Sequence, residues 1–294
     1  MPELPEVETI RAQLEPILSG ATIADAWTFG TQKFAQATEV VGMSIIDVRR
    51  RGKYLIIGLS SCGGVRDTPG TTDAELIVHL GMTGRLTVAS PDEHTEECPD
   101  SSADFGVRVR HPHRRAEWLL SDSRIIEFTD TRRFGRIAVV EPGQYSSLAT
   151  LAHLGPEPFD DEFTPEFLRA RLHQSTQAIK TQLMSQRVVA GLGNIYIDEA
   201  LWAARVNPRS TRVTKAQSVA LHDSIVSSLE AGIRNGGTTL RDYRDARGAS
   251  GNNQLTLKCY GRSGLPCLHC GGTLARTVIS GRSTTFCPLC QRRK

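Results

Sequence analysis

The sequence predicts an α+β chain in which an N-terminal helix and a β-sandwich or barrel come first and a helical part follows, ended by a small cysteine-rich unit. Three observations predict it. β-like runs crowd the stretch up to about residue 143, apolar residues turn to helical spacing from about Thr164, and four of the seven cysteines form two close pairs near the C-terminus. With 294 residues, 39% of them hydrophobic, the chain can bury a sizeable core and build two domains with a small third unit.

The first helix is read on Glu6 to Leu14, where Val7, Ile10 and Leu14 share one stripe. Strand candidates follow in Tyr54 to Ile57, Glu75 to Leu80, Glu117 to Leu120, Arg124 to Phe128 and Arg136 to Val140. Two segments interrupt them, Ser60 to Ala74 and Ala89 to Asp104; rich in Ser, Thr, Gly, Pro and acids, they read as long exposed loops. Beyond a linker over 144–163, Thr164-Pro165-Glu166-Phe167 opens a helix, Ala178 to Met184 gives a second and Asn194 to Ala204 a third. Thr214 to Asn235 is the longest, with Thr214 and Gln217 as a capping box. Between the second and third, Ala190-Gly191-Leu192-Gly193-Asn194 is either a plain connector or a turn whose backbone N–H groups approach a phosphate.

No stretch reaches the roughly 18 to 20 apolar residues of a membrane span, and the N-terminus lacks a basic region followed by an apolar one. A cytoplasmic protein with no membrane partner is expected. The net charge of +3 conceals an asymmetry: residues 246–294 carry eight Lys or Arg and no acid, leaving −5 for the rest. A basic tail on an acidic body suits phosphate contact, because each neutralised phosphate releases counterions.

That tail holds Cys267-Leu268-His269-Cys270 and, sixteen residues on, Cys287-Pro288-Leu289-Cys290. Paired thiolates two residues apart chelate from one turn, and two such turns close a tetrahedral zinc site. The competing reading of such pairs is redox chemistry. His269 lies between ligands without being one, and Cys62, Cys98 and Cys259 read as incidental thiols. Zinc, one structural ion per chain, is the expected cofactor.

Chemistry concentrates at the start, Met1-Pro2-Glu3-Leu4-Pro5-Glu6. Removal of Met1 would leave Pro2 as a free secondary amine, and an α-amino group titrates near ~8, so part of it is nucleophilic at neutral pH. Such an amine attacks an electrophilic carbon such as a sugar C1′, and Glu3 beside it is a candidate acid/base. The same residues also make an ordinary helix start, with proline and acids in the first turn.

The run Met1-Pro2-Glu3-Leu4-Pro5-Glu6-Val7-Glu8-Thr9 resembles the N-terminus of bacterial formamidopyrimidine-DNA glycosylases, and further segments resemble that family in order along nearly the whole chain. They are Gly52-Lys53-Tyr54-Leu55, the Met82 tip of His79 to Leu86, Asp130-Thr131-Arg132-Arg133-Phe134-Gly135, Ile179 to Tyr196, and the cysteine pairs. The resemblance implies a catalytic β-sandwich domain over 1–143, a helix-two-turns-helix DNA-binding domain over 164–254 and a zinc β-hairpin over 255–294. It implies a monomeric repair enzyme that removes oxidised purines from damaged double-stranded DNA and then cuts the strand by β,δ-elimination.

Residue by residue, the resemblance implies Pro2 as nucleophile, Glu3 as the acid on the sugar ring oxygen and Glu6 as its support, with Lys53 and Arg282 assisting proton transfer. Met82 would fill the space of the flipped base, Arg132 would read the orphaned cytosine and Phe134 would buckle the opposite strand. His111, Lys180 and Asn194 would contact phosphates. Two departures stand out: Thr131 replaces the usual Pro, and Gly251-Asn252-Asn253 replaces the usual Gly-Tyr-Phe of the loop over the flipped purine, read as a flexible stretch from Asp245. The sister enzyme for oxidised pyrimidines, endonuclease VIII, and a non-catalytic zinc DNA-binding protein are the alternatives; Leu4 and the intact Pro2-Glu3 pair weigh against them.

Overall fold

The computed structural model describes residues 2–61, 71–89 and 112–293. His111, Cys62, Cys98 and most of the two polar segments lie outside the described residues. Helix α1 (Leu4–Leu18) opens the chain, with Pro5 in its first turn where no helical N–H is needed. Two four-stranded antiparallel sheets follow. Strand β1 (Ile23–Thr28), with β5 (Gly84–Ala89), β6 (Arg114–Leu120) and β7 (Ile125–Asp130), forms one in the order β1-β6-β7-β5. Strands β2 (Met43–Arg51), β3 (Tyr54–Ser61), β4 (Ala74–His79) and β8 (Arg136–Val140) form the other in the order β2-β3-β4-β8.

One core lies between the sheets: Leu55, Ile57, Val78 and Ile137 from one face meet Ile23, Trp118, Ile126 and Phe128 from the other, under Ile10, Leu14 and Leu18 of α1. Strand β3 reads as an unbroken apolar run because both its faces are covered. Its Leu55 and Ile57 face that core, while Tyr54 and Ile56 pack on Leu148 and Leu151 at the short helix α2 (Ala149–Ala152).

A second core joins α3 (Pro165–His173), α4 (Ile179–Met184), α5 (Asn194–Ala203) and α6 (Lys215–Arg234). Thr214 caps α6 by accepting from Gln217 N, and Gln217 returns a bond to Thr214 N. A two-stranded hairpin, β9 (Ala275–Ile279) with β10 (Arg282–Phe286), ends the fold. The two large cores exchange residues. Leu4 of α1 belongs to the helical core, whereas Tyr243 and Ala246 pack into the sandwich core. The N-terminus is thereby inserted between the two halves.

Candidate active site

Pro2, Glu3 and Glu6 are all buried where the starts of α1 and α5 converge. The glycine-rich turn makes this approach available. Leu4 N donates to Gly191 O at 3.0 Å, and a Cβ on Gly193 would lie 2.2 Å from Glu3 Cδ. The Glu3 carboxylate fills the space so left and accepts from Ile195 N at 3.0 Å and Tyr196 N at 3.4 Å. The N–H groups just beyond the turn therefore hold one of the protein's own carboxylates at the start of α5, where negative charge is favoured, while within the turn Ala190 N donates to Pro156 O and Gly191 N to Gln186 Oε1.

Glu6 reaches back to Glu3 N (2.7 Å), and its other oxygen accepts from Thr238 N (2.7 Å) and the Tyr196 hydroxyl (2.8 Å). Burial and then the neighbouring Glu3 charge push its pKa up to about 7, against the pull of those three donors. Lys53 enters from the two-residue turn between β2 and β3, where Gly52 takes a positive φ of 56°. Only 7% exposed, Lys53 has its pKa lowered by burial, against the attraction of Glu3 and Glu6 and with the repulsion of Arg282. The turn is clamped from the segment between α2 and α3: Glu157 accepts from Gly52 N (2.6 Å), Arg50 (2.6 Å) and Arg51 (2.8 Å). The arginine run before Lys53 is thus an ion-pair array.

Met82, Arg132 and Phe134 come together on one edge. Asp130, fully buried, accepts from the Thr83 hydroxyl, from Arg132 N (3.1 Å) and from Gly135 N (2.7 Å), pinning both loops. A Cβ on Gly81 would strike Gly135 N at 2.5 Å, so the loops approach backbone to backbone. Phe134 is 50% exposed, with the Arg132 guanidinium 4.9 Å from its ring centre, and Met82 is half-buried. An apolar ring held exposed on a braced loop suits insertion into a base stack.

Arg282 is exposed next to a two-residue turn, Ser280-Gly281, in which both residues take positive φ. The hairpin is docked through Lys180 and Asp198, each 1% exposed. Lys180 Nζ donates to Asp198 Oδ1 (2.6 Å) and Ser283 O (3.2 Å), and Asp198 Oδ2 accepts from Thr285 N (2.9 Å). Asn194 donates to the same Ser283 carbonyl at 2.9 Å. Burial lowers the Lys180 pKa and raises that of Asp198 to about 6, each offset in part by the other's charge.

Cys267, Cys270, Cys287 and Cys290 bring their four Sγ atoms within 4.8 Å of one another. The donor set suits one structural zinc: four sulfurs, with Trp202 Nε1 donating to Cys267 Sγ (3.3 Å) and Cys290 N to Cys287 Sγ (3.4 Å), as thiolates require. His269 stays outside that set and stacks on Trp202 at 4.0 Å.

Sequence reading missed Tyr196, Thr238 and Asn253, which surround Glu6, and Asp130, Glu157 and Asp198, which brace the loops. Tyr196, Asp130 and Asn253 lie inside segments that the resemblance picks out, but nothing local gives them a role, since each is a single polar residue whose partner comes from another element. Asp245 to Asn253, expected as a flexible cover, is tied down: Gln13 bonds Asp245 Oδ2 (2.8 Å) and Ala246 N (2.9 Å), and Asn253 N donates to Gly237 O (3.1 Å).

Family models match in three consecutive parts: the formamidopyrimidine-DNA glycosylase N-terminal domain at residues 1–137, its H2TH domain at 154–244 and the zinc finger found in FPG and IleRS at 264–293. The chain belongs to the formamidopyrimidine-DNA glycosylase family. It is 38% identical to the formamidopyrimidine-DNA glycosylase of Deinococcus radiodurans, over 99% of this chain and 97% of that protein. The enzyme of that name from Paracoccus denitrificans is 40% identical over 99% of this chain and 100% of its own. The crystal structure of the MutM (FPG) protein from Thermus thermophilus superposes over 100% of both chains with a TM-score of 0.84 and 36% identity. A Lactococcus lactis FPG mutant in complex with Fapy-dG-containing DNA gives 0.83 at 33% identity, over 99% of this chain and 100% of that one. Among the described residues, no helix is long and apolar enough to cross a membrane.

Proposed function

We propose that this chain removes oxidised purines, chiefly 8-oxoguanine opposite cytosine and formamidopyrimidines, from damaged double-stranded DNA and then nicks the abasic product, acting as a monomer in the cytoplasm. It is a base-excision DNA glycosylase and AP lyase by family. The observation that carries the assignment to residues is the buried junction at which Pro2 adjoins the Glu3 carboxylate, with Lys53 facing it.

With Met1 removed, the Pro2 nitrogen forms a bond to C1′ as the bond from C1′ to the base breaks, and the base leaves with the bonding pair and takes up a proton. The proton that the Pro2 nitrogen loses passes by way of the Glu3 carboxylate to the sugar ring oxygen as the ring opens to an iminium. Loss of a C2′ proton expels the 3′ phosphate, a second elimination expels the 5′ phosphate, and water releases Pro2. Lys53, its ammonium disfavoured by burial, suits the proton transfers; Arg282, exposed on its turn, suits the phosphate. Met82, Arg132 and Phe134 replace the flipped base, read the orphaned cytosine and bend the partner strand.

Lys180 donates to Asp198 and to Ser283 O, and Asn194 bonds the same Ser283 carbonyl and the Tyr260 side chain. Their role in this reading is to hold the Arg282 hairpin at the phosphates flanking the lesion. His111 is assigned to phosphate on the resemblance alone. Zinc, held by the four cysteines, supplies no chemistry at the sugar and stabilises the hairpin. The division into 1–143, a linker at 144–163, 164–254 and 255–294 follows these tasks.

Borohydride trapping tests the reading, since reduction of the imine leaves a covalent crosslink. The mature protein is expected to crosslink to an 8-oxoguanine:cytosine duplex at Pro2, and Pro2→Gly to lose that crosslink. Trapping only on a dihydrouracil duplex would move the chain to the pyrimidine branch, and binding without trapping would sink the catalytic assignment.

A further inference from the structure

Behind Glu6 runs a chain of buried polar groups that the reaction as described does not use. Tyr196 OH lies 3.0 Å from Thr238 Oγ1, and Asn253, 3% exposed, donates from Nδ2 to Thr238 Oγ1 (2.9 Å) and to Tyr196 OH (3.4 Å). Its Oδ1 accepts from Asn235 Nδ2 and Thr256 Oγ1, both at 3.1 Å. In this arrangement the amide nitrogen is the end that faces the two hydroxyls. A Cβ on Gly232 would sit 2.5 Å from Tyr196 OH, so the phenol has no room to leave its place beside Glu6.

We propose that Asn253 is a positioning residue for the reaction, which sets the direction of the hydrogen-bond chain ending on the Glu6 carboxyl. An amide nitrogen only donates, so Tyr196 OH and Thr238 Oγ1 both accept from Asn253 and turn their own protons elsewhere. For Tyr196 the acceptor at hand is Glu6 Oε1, at 2.8 Å. The chain is thereby polarised toward an ionised Glu6, which in turn accepts from the Glu3 N–H next to Pro2. An aromatic ring at position 253, the usual residue of the resembled pattern, has no such donor. The inference rests on the reading of Pro2-Glu3 as the reaction centre.

The groups that face Glu6 are Glu3 from its own helix, Lys53 from the β2–β3 turn, Tyr196 from α5, and Tyr243 from the segment after α6, with Arg282 beyond Lys53. Lys53 favours ionised Glu6, whereas Glu3 opposes it. The donor chain from Asn253 adds to the favourable side without adding charge.

The test uses full-length, zinc-loaded protein and two duplexes, one with 8-oxoguanine opposite cytosine and one with a preformed abasic site. Single-turnover rates are measured from pH 5.5 to 9 for wild type, Asn253→Leu, Asn253→Asp and Thr238→Val, with thermal melts and with affinity for an uncleavable tetrahydrofuran duplex. Both Asn253 variants are expected to be at least tenfold slower on both duplexes near neutral pH, at wild-type affinity. The acidic limb of the pH profile should move to higher pH, furthest in Asn253→Asp, which replaces donors with a like charge. Thr238→Val, which keeps the backbone N–H to Glu6, should reproduce part of the shift and be less than additive with Asn253→Leu. Slowing confined to the base-bearing duplex with an unmoved pH profile would overturn the inference, because Asn253 would then act on the base. Unchanged rates would overturn it equally. Should the Asn253 variants not fold, an unmoved profile in Thr238→Val overturns it. Wild-type trapping in the same preparation separates this failure from that of the underlying reading: without a wild-type crosslink both fall.

Discussion

Gly193→Ala isolates the contribution of the Glu3 seat. Gly193 has extended backbone (φ −132°, ψ −163°), so alanine meets no conformational penalty and only the new methyl matters. That methyl would lie 2.2 Å from Glu3 Cδ, 2.5 Å from Oε1 and 2.6 Å from Cγ. With Glu3 only 2% exposed, the carboxylate cannot swing into solvent and must shift by about 1 Å to restore van der Waals contact, leaving the N–H groups of Ile195 and Tyr196. Hydrogen bonds to a charged group contribute ~1.5–3 kcal/mol each, so a stability loss of about 2–4 kcal/mol is expected from weakening two of them. A displacement of that size at a reacting group costs on the order of 10²-fold in rate. Urea unfolding and single-turnover excision of 8-oxoguanine measure the two effects. Adding Glu3→Asp shortens the side chain and should recover stability without recovering the rate. An alanine variant within threefold of the wild-type rate would refute the assignment of Glu3 to the sugar ring oxygen in this seat.

Other outcomes follow from the same geometry. Asp198→Leu leaves Lys180 buried without its counter-ion and should destabilise by about 3–5 kcal/mol, whereas the double replacement Lys180→Met/Asp198→Leu recovers most of that, as urea unfolding would report. Glu6 is held above its ordinary carboxyl pKa, so its neutral form stabilises the fold fully below about pH 4.5, and that stability is lost as pH rises through about 7. The loss approaches ~3 kcal/mol; denaturation midpoints from pH 5 to 8.5 should show the slope, and Glu6→Gln should flatten it. Chelating the zinc should free the hairpin, change Trp202 fluorescence through loss of its contacts to Cys267 and His269, and impair strand cutting more than binding of duplex.

The parts of the fold legible in sequence were those with a local cause. The capping box at Thr214 and Gln217, the cysteine pairs and the strand Arg136 to Val140 appear where the pattern puts them. Strand β2 escaped notice because Arg49-Arg50-Arg51 reads as a solvated charge run, and only Glu75, Glu8 and Glu157 from distant segments make it part of a sheet. Strand β5 was hidden because Gly84 reads as part of the turn, although its role is to admit the Leu80 carbonyl 2.2 Å from where a Cβ would stand. The site shows the same division. Pro2 and Glu3 are visible from their order alone, while Tyr196, Thr238 and Asn253 acquire meaning only when three separate elements meet around Glu6.

That meeting bears on how the proposed nucleophile, Pro2, can be held in place at all. A terminus is ordinarily the least ordered part of a domain unless it is tied down. Here Glu3 is bonded to the start of α5 and Glu6 to the segment after α6, so the first turn of α1 is anchored to two elements beyond residue 190. The anchors are mostly backbone N–H groups, which carry no rotamer freedom to lose, and the carboxylates they bind are the groups that the proposed reaction needs oriented. Arg282 approaches from a hairpin fastened by Asp198, on the same helix α5 whose first turn holds Glu3. One short helix therefore sets the distance between Glu3 and Arg282, the proposed acid at the sugar and the proposed cation at the phosphate. Perturbing α5 should impair both base release and strand cutting, whereas perturbing the Asp130 brace should impair lesion capture while leaving cleavage of a preformed abasic site nearer to normal.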